Sequence, residues 1–553
     1  MKKDLFSKRR IFFRVLFILV WAAFTIRLFS IQVLSDRYKI SSANISIREE
    51  VMIPARGVIF DRNGKTLVQN LHSFDLMVTA VEVKAFDTLL LCEILDIDPL
   101  AVRDRIQENL KDPYLSVNPF PLDKQVTQER INMLKEILFR FPGFKIQERT
   151  LRDYPDSLAA HTLGYIGEVD LKKTQEDHYY LPGDYIGISG VEKSYEEILR
   201  GKKGISKILK DKFNRNQGPY LGGQEDIEAI SGQDLFLSLD AELQKYGELL
   251  MQNKIGSIVA LEPSSGEILA LVTSPTYNPN RLSGRARAAN YKILLEDTYK
   301  PLMNRALQAQ YPPGSTFKIV NALIGEQMGV LNAETRYPCG GAFHLGGLTV
   351  RCHGHASPLD LSQSIQHSCN TYYCWAFRDM IDKNNFPSTR TGFEVWRHHA
   401  LSFGLGTRFN SDLPYSYTGN IPTAEHYDKL HGKNRWKALS VISLAIGQGE
   451  ILMTPVQLAN LAAIVANKGH YYTPHIVKAI GDKDSLNKTM MKRYQTTIDE
   501  KWFEPVAKGM RDVVVAGTAR NAHIDGIAVC GKTGTAHTQY AWRGCLAAFF
   551  SRP

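Results

Sequence analysis

Apolar and polar positions follow several different periods along this chain, and the changes of period mark its parts. The longest apolar run comes first. Residues 11–34, IFFRVLFILVWAAFTIRLFSIQVL, are apolar apart from Arg14, Arg27 and Gln32. A membrane-spanning helix needs ~20 mostly apolar residues, and arginines near its ends can reach the interface. Behind this run the pattern is short and mixed to about residue 230. IPARGVIFDRNGKTL (53–67) predicts a hairpin, with Asp61-Arg-Asn-Gly64 turning between apolar strands. A charged, helical stretch follows over about 84–140, and GISGVEKSYEEILRGKKG (187–204) predicts an amphipathic helix stopped by Gly201.

From about residue 234 the character changes. DLFLSLDAELQKYGELLM predicts a strand and then a helix. IGSIVALEPSSGEILALVTSP (255–275) predicts two apolar strands around a Ser-Ser-Gly turn. In FKIVNALIGEQMG the apolar positions Phe317, Val320, Leu323, Ile324 and Met328 recur at helical spacing, and Gly329 ends them. A mostly helical middle leads back to strand in GIAVCGKTGTA (526–536). Strands at both ends with helices between predict one layered domain that closes its sheet late in sequence.

Length alone makes two or more domains the expectation for 553 residues. Hydrophobic residues at 44% and aromatics at 10% are values of a folded protein. The net charge of +10 is spread along the chain among acids, without a basic stripe carrying stacking aromatics, which argues against nucleic acid as a partner. Lys2, Lys3, Lys8, Arg9 and Arg10 precede the apolar run and favour a cytoplasmic start. No small-x-small cleavage site follows, so the run reads as a retained anchor and not as a signal peptide. The expected order is a cytoplasmic tail (1–10), an anchor (11–34), a mixed region (35–233) and a larger domain (234–553), with most of the chain outside the cytoplasmic membrane.

The candidate chemistry begins in YPPGSTFKI (311–319). Pro312 and Pro313 stop what precedes, and Ser315 stands where a favoured N-cap would open the helix. Spacing of three puts Ser315 and Lys318 on one helix face, close enough to share a proton. A lysine in the first helical turn is disfavoured by the macrodipole, and burial lowers its pKa further. A lysine that activates serine needs that property. Ser485 and Lys488 offer the same spacing in a polar stretch and serve as a decoy. Two further triplets follow in order: Ser368-Cys369-Asn370 before a helical run, and Lys532-Thr533-Gly534 closing a strand. Each is common alone. The ordered set belongs to penicillin-binding proteins and serine β-lactamases.

Residues 40–230 resemble the pedestal of class B penicillin-binding proteins through RGVIFDRNG (56–64), AHTLGYIGEV (160–169) and SGVEKSYEEILRGKKG (189–204). The later region is similar to their transpeptidase domain through SIVALEPSSGEILALVTSPTYNPN (257–280), NRA (304–306), YPPGSTFK (311–318), AIGQGEILMTPVQLANL (445–461) and CGKTGTA (530–536). The resemblance is strongest to the elongation-specific D,D-transpeptidases. It implies an α+β multidomain fold: a transmembrane helix, an elongated mixed α/β pedestal, and a serine β-lactamase-like domain with a central antiparallel sheet flanked by helices. It also implies that Ser315 attacks the penultimate D-Ala carbonyl of a peptidoglycan stem peptide, with Lys318 as its base. Ser368 and Asn370 relay protons and hold the peptide amide; Lys532, Thr533, Gly534 and Thr535 bind the substrate carboxylate. The N–H groups of Ser315 and Thr535 form the oxyanion hole. Implied partners are stem peptides, β-lactams, the membrane, a polytopic glycosyltransferase and other elongation proteins. A secreted β-lactamase, a single domain of ordinary size, needs neither anchor nor pedestal. A β-lactam sensor, or an inactive scaffold of the elongation machinery, remains an alternative.

A second cluster lies in residues 337–370, which hold Cys339, Cys352, Cys369 and four histidines. Three cysteines and one histidine form a common closed tetrahedral zinc set. A disulfide between two of them, or buried free thiols, would use the same residues. The segment resembles the metal-bearing loop of some elongation transpeptidases, which implies Cys339, Cys352, His355 and Cys369 as structural zinc ligands; His344 and His353 compete for the histidine place. Past Ala536 the family pattern stops. The family continues with Gln-Asn-Pro-His-Gly-x-Asp-His, whereas this chain reads HTQYAWRGCLAAFFSRP. A family-like string, Asn-Thr-His-Gly-Glu-Asp, is encodable one base later, which points to a frameshift near 536–538. The expectation is a transpeptidase domain incomplete at its C-terminus, with the Lys532 strand lacking outer neighbours and its edge exposed.

Overall fold

A computed structural model describes residues 4–30, 47–181, 183–210, 216–284, 286–383, 386–483, 485–486, 490–537 and 542–551. The first helix, Asp4–Phe29, is longer towards the N-terminus than the apolar run, and Arg9–Phe29 is long and apolar enough to cross a membrane. Residues 31–34 of the predicted span lie outside the described residues, as does Lys488 of the decoy pair.

The chain forms two compact units, and neither is one continuous segment. The first unit takes residues 1–56, 73–149 and 200–232, and the second takes 57–72, 150–199 and 233–553. In the first unit Ile47–Met52, Gly204–Lys210 and Asn216–Pro219 form a three-stranded sheet. The charged stretch predicted to be helical does contain helices Thr88–Leu95, Pro99–Lys111 and Gln128–Ile137. A strand, Phe120–Val126, interrupts them and pairs with residues 74–78. Leu91, Leu95, Val102, Ile106, Ile131 and Leu134 bury against Phe74, Leu76 and Val78. Here the sheet, through tertiary pairing, overrides a locally helical composition.

In the second unit the predicted Asp61 turn is present. Asp61 Oδ1 accepts hydrogen bonds from the N–H groups of Asn63 and Lys65, both at 2.8 Å, and Ile59–Phe60 pairs antiparallel with Thr66 and Val68. The amphipathic helix expected over 187–204 is instead two short helices, Gly190–Ser194 and Glu196–Leu199. The reason lies in its acids. Glu192 is buried against Arg152 at 2.7 Å, and Glu196 is buried accepting from Tyr180 Oη and Gly187 N–H. The face that patterning assigns to solvent therefore points inward.

The helix Lys318–Gln327 runs through the middle of the second unit, and every residue from Lys318 to Glu326 is buried. Helices Asn370–Arg378, Thr389–Ser402 and Phe503–Ala516 pack around it. Trp396, Phe317, Phe377 and Phe393 interlock there at ring-centroid distances of 5.2–6.2 Å. Each such fully buried aromatic contributes roughly 1.5–3 kcal/mol of transfer free energy. The apolar hairpin predicted over 255–275 is Gly256–Leu261 paired with Ile268–Ser274. A second hairpin pairs Ala528–His537 with Trp542–Ser551. Both pack on one helix, Pro455–Ala466. Among the described residues they stay separate two-stranded ladders and do not join into the single central sheet that was expected. The Lys532 strand corrects the other part of that expectation. It has a neighbour along its whole length, from Ala528 opposite Ser551 to His537 opposite Trp542. Cys545, Ala547 and Phe549 alternate in this partner strand at the period-two spacing that pairing needs.

Candidate active site

Ser315 lies inside a 3₁₀ turn, Gly314–Phe317, that feeds directly into the α-helix beginning at Lys318. It is therefore not the N-cap. Pro313 holds that place, and no side chain caps the turn. The turn begins two residues earlier than a serine cap requires because Gly314 adopts φ 57°, a left-handed conformation that glycine takes without penalty. A Cβ at Gly314 would also lie 2.6 Å from the Thr535 carbonyl oxygen, so that position brings strand and turn into backbone contact. Thr316, Phe317 and Lys318 are buried while Ser315 is half-buried, and no hydrogen bond among the described residues engages the Ser315 hydroxyl.

Lys318 is the hub of the site. Its Nζ donates to Ser368 O at 2.6 Å, to Asn370 Oδ1 at 2.6 Å and to Ser368 Oγ at 3.3 Å. The Tyr373 ring lies 5.6 Å from the same nitrogen. Ser368 has φ 53°, a strained backbone for a non-glycine residue, and this turns its carbonyl and its hydroxyl onto one amine. Asn370 is fixed from its other end, since its Nδ2 donates to Arg351 O at 2.8 Å. Burial lowers the Lys318 pKa to about 8, against an opposing pull from the nearby cysteines. The sequence placed Ser315 and Lys318 in proton-sharing contact. In the structure the lysine instead bonds to the Ser368–Asn370 segment, and that segment connects it to the rest of the site.

The third motif forms the opposite wall. Lys532 is completely buried, and its Nζ donates to Thr533 O at 3.1 Å. Burial, and then the charge of Lys318, hold its pKa well below the usual lysine value. Alternation puts Lys532 and Gly534 on one face of the strand and Thr533 and Thr535 on the other. Gly534 lies over Pro313 and Thr316, where a Cβ would meet Pro313 O at 2.6 Å. Thr533 Oγ1 shares a hydrogen bond of 2.7 Å with Thr518 Oγ1, while Thr535 is exposed.

Cys339, Cys352, His355 and Cys369 come together, with their four ligand atoms within 4.8 Å of one another. Tetrahedral zinc, with Zn–S of ~2.3 Å and Zn–N of ~2.0 Å, places two sulfurs about 3.8 Å apart and sulfur and nitrogen about 3.5 Å apart. Cys352 Sγ lies 3.8 Å from Cys369 Sγ and 3.4 Å from His355 Nε2. These two separations fit a shared tetrahedral ion. All seven cysteines are free thiols, so the disulfide alternative is not what the structure contains. His353 instead faces the His367 carbonyl, and His344 faces Thr349. Hydrogen bonds from the Cys369 thiol and the Asn370 N–H hold the Cys352 thiol low, toward thiolate. The same contacts attach the cluster to the second motif: Asn370 N–H donates to Cys352 Sγ at 3.3 Å, and Tyr372 N–H to Cys369 Sγ at 3.3 Å.

Sequence reasoning did not single out Tyr373 or Thr518, and took Gln448 only as part of a longer resemblance. Tyr373 carried a signal, because it follows Asn370 by one helical turn and so shares its face. Thr518 and Gln448 sit on turns that only the tertiary fold brings to the strand.

Residues 256–545 match the family described as the penicillin binding protein transpeptidase domain, and residues 51–237 the penicillin-binding protein dimerisation domain. Peptidoglycan D,D-transpeptidase MrdA of Acinetobacter baumannii is 33% identical over 522 residues, covering 92% of this chain and 75% of that protein. MrdA of Escherichia coli K12 is 28% identical, covering 80% of this chain and 70% of that protein. Among solved structures, the complex of penicillin-binding protein PBP2 with MreC from Helicobacter pylori has a TM-score of 0.73 at 26% identity, covering 91% of this chain and 92% of that one. With a dimerisation region, a transpeptidase region that spans more than half of it, and relatives of this kind along most of its length, the chain belongs to the class B penicillin-binding proteins.

Proposed function

We propose that the chain is a membrane-anchored peptidoglycan D,D-transpeptidase of cell elongation that works through a Ser315 acyl-enzyme. The observation that carries this reading is the position of Lys318 Nζ, 2.6 Å from both Ser368 O and Asn370 Oδ1 and 3.3 Å from Ser368 Oγ. A buried amine with a pKa lowered to about 8 is mostly charged at pH 7, but its neutral fraction, roughly a tenth, far exceeds that of an ordinary lysine and can take a proton. Ser315 Oγ attacks the penultimate D-Ala carbonyl, and its proton passes to Lys318. The carbonyl becomes a tetrahedral oxyanion facing the N–H groups of Ser315 and Thr535. Collapse breaks the peptide bond; the proton returns through Lys318 and Ser368 to the departing D-Ala amine. The amine of a neighbouring stem then attacks the ester, giving up a proton by the same route, and Ser315 is regenerated with the crosslink formed. Asn370 holds the donor peptide's amide. Lys532 contributes positive potential, and Thr533 and Thr535 offer hydroxyls for the terminal carboxylate. β-Lactams acylate the same serine.

Zinc is part of the proposal in a structural role. Cys339, Cys352, His355 and Cys369 would hold it, and it would supply a rigid anchor for the turn carrying Ser368 and Asn370. The long apolar helix supports single-pass anchoring in the cytoplasmic membrane. The basic residues before it support a cytoplasmic N-terminus and a periplasmic domain. Stem peptides are the substrates; a polytopic glycosyltransferase and other elongation proteins are the proposed partners. The test is time-resolved labelling of the full chain in detergent with a fluorescent penicillin, followed by mapping of the adduct. A single adduct on Ser315 is expected. A chain that stays unlabelled is a scaffold.

A further inference from the structure

The turn Gly447-Gln448-Gly449 lies against the catalytic turn and reaches the Lys532 strand. It follows the 3₁₀ segment Ala438–Ile446, whose end it closes: Gly447 has φ 68° and donates to Leu444 O, and Gln448 N–H donates to Ser443 O at 3.0 Å. On the other side Gly447 O accepts from Gly314 N–H at 2.9 Å. The approach leaves no room for a side chain, since a Cβ on Gly447 would sit 2.2 Å from Gly314 O and 2.7 Å from Phe317 Cβ. The Tyr311–Met453 bridge holds the same two segments together farther along. The turn is thus a rigid extension of the Ser315 element.

From that fixed base the half-buried Gln448 side chain extends to the strand, where its Nε2 donates to Thr535 O at 3.4 Å. In a β-strand the N–H and C=O of one residue point to the same side. A donor on Thr535 O therefore also fixes the direction of Thr535 N–H. That carbonyl lies beside Gly314, 2.6 Å from where a Cβ would stand, so the N–H on the same side belongs to the gap next to Ser315. Farther along the strand Lys532 is held by burial and Thr533 by Thr518, but Thr535, the residue against Gly314, is exposed and lies near the end of the described ladder. One side-chain hydrogen bond ties it to the Ser315 element.

We propose that Gln448 is a positioning residue that sets the width of the oxyanion hole by tying the Thr535 peptide to the Ser315 turn. This rests on the assignment of Ser315 and Thr535 above. Its effect belongs to the chemical step: the ground-state complex forms with or without the tie, whereas the tetrahedral oxyanion needs both N–H groups at once. Loss of a direct oxyanion donor typically costs ~10²–10³ in rate, and loosening one costs a fraction of that.

Stopped-flow acylation of the full chain by a fluorescent penicillin separates the acylation rate constant from the dissociation constant of the non-covalent complex. Gln448→Met keeps the length and removes the donor. It is expected to lower the acylation rate constant about ten-fold, with the dissociation constant and the melting temperature unchanged. Gln448→Glu, which sets a carboxylate against the Thr535 carbonyl, is expected to lose more. Gln448→Arg, which restores a long donor, is expected to recover most of the rate. An unchanged rate constant in Gln448→Met would overturn the proposal, as would a loss confined to the dissociation constant, which marks a substrate contact. A parallel fall in melting temperature that Gln448→Arg does not repair would mark a merely structural role and overturn it too. Ser315→Ala, run alongside, separates the two levels. If it still labels, the site assignment fails; if it is dark while Gln448→Met acylates normally, only the positioning role fails.

Discussion

The two walls of the active site are built in different ways. On the helix wall, Lys318 is fully buried and has three hydrogen bonds to Ser368 and Asn370, and Asn370 is tied in turn to Arg351 O and Cys352 Sγ. On the strand wall, Lys532 is equally buried but, among the described residues, its amine bonds only its neighbour's carbonyl, at 3.1 Å. Apart from their pairing with the neighbouring strand, Thr533 is tethered through its hydroxyl to Thr518 and Thr535 through its carbonyl to Gln448. The difference follows from chain geometry. A buried helix gets its position from a core of aromatic rings on every side, so side chains projecting from it are preorganised. A strand paired on one side presents its other edge to the substrate, so its placement depends on a few discrete tethers. In the proposed mechanism proton transfer, which needs an exact geometry, is assigned to the helix wall, and carboxylate binding, which tolerates adjustment, to the strand.

The contrast predicts unequal losses. Lys318→Ala removes the base and leaves the buried Ser368 and the half-buried Asn370 without their donor. Penicillin acylation should fall by ~10²–10⁴, measured as the second-order rate constant from gel labelling. A loss below ten-fold would remove Lys318 from its role. The same wall has a pH signature. With a pKa lowered to about 8 by burial, Lys318 is charged below that value and neutral above it. The acylation rate should rise about ten-fold per pH unit up to about 8 and then level off; a profile flat between pH 6 and 8 would contradict it. Lys532→Ala, on the strand, should cost less, about ten- to a hundred-fold, through weaker capture of the drug's carboxylate. A loss confined to the acylation rate constant would mean that Lys532 acts in proton transfer.

Metal removal probes how firmly the helix wall is held. Inductively coupled plasma analysis should find about one zinc per chain, with Cys352→Ser losing it. That variant should also melt earlier and acylate more slowly, because Asn370 N–H loses its sulfur acceptor. A chain that purifies without metal yet acylates normally would separate the cluster from the site. The smallest effect is expected of Thr518→Val. It removes one neutral hydrogen bond, worth about 1 kcal/mol, and should slow acylation by a few-fold at most.

The sequence shows which parts of this arrangement are local. The hairpin at 256–274, the Asp61 turn and the apolar face of the Ser315 helix are legible because their periods and turn residues are self-sufficient. So was the set of motifs, through its order. The helix expected at 187–204 broke because Glu192 and Glu196 find buried partners at Arg152 and Tyr180, which no local pattern announces. The strand at Phe120–Val126 was hidden by charged flanks. Ser315 looked like a cap because serine before an apolar run usually is one. Gly314, in left-handed conformation against Thr535, moved the start of the turn and left the hydroxyl uncommitted. The pairing of the Lys532 strand was missed because residues past Ala536 depart from the family pattern, although their alternation still suits a strand.

All of these expectations depend on Ser315 being the nucleophile. The direct measurement is intact-protein mass spectrometry after exposure to a penicillin, on wild type and on Ser315→Ala. The account predicts one drug mass added to the wild type, localised to the peptide containing Ser315, and no addition to a Ser315→Ala protein that melts at the wild-type temperature. A drug adduct on that variant, or a wild-type adduct on any other serine, would contradict it.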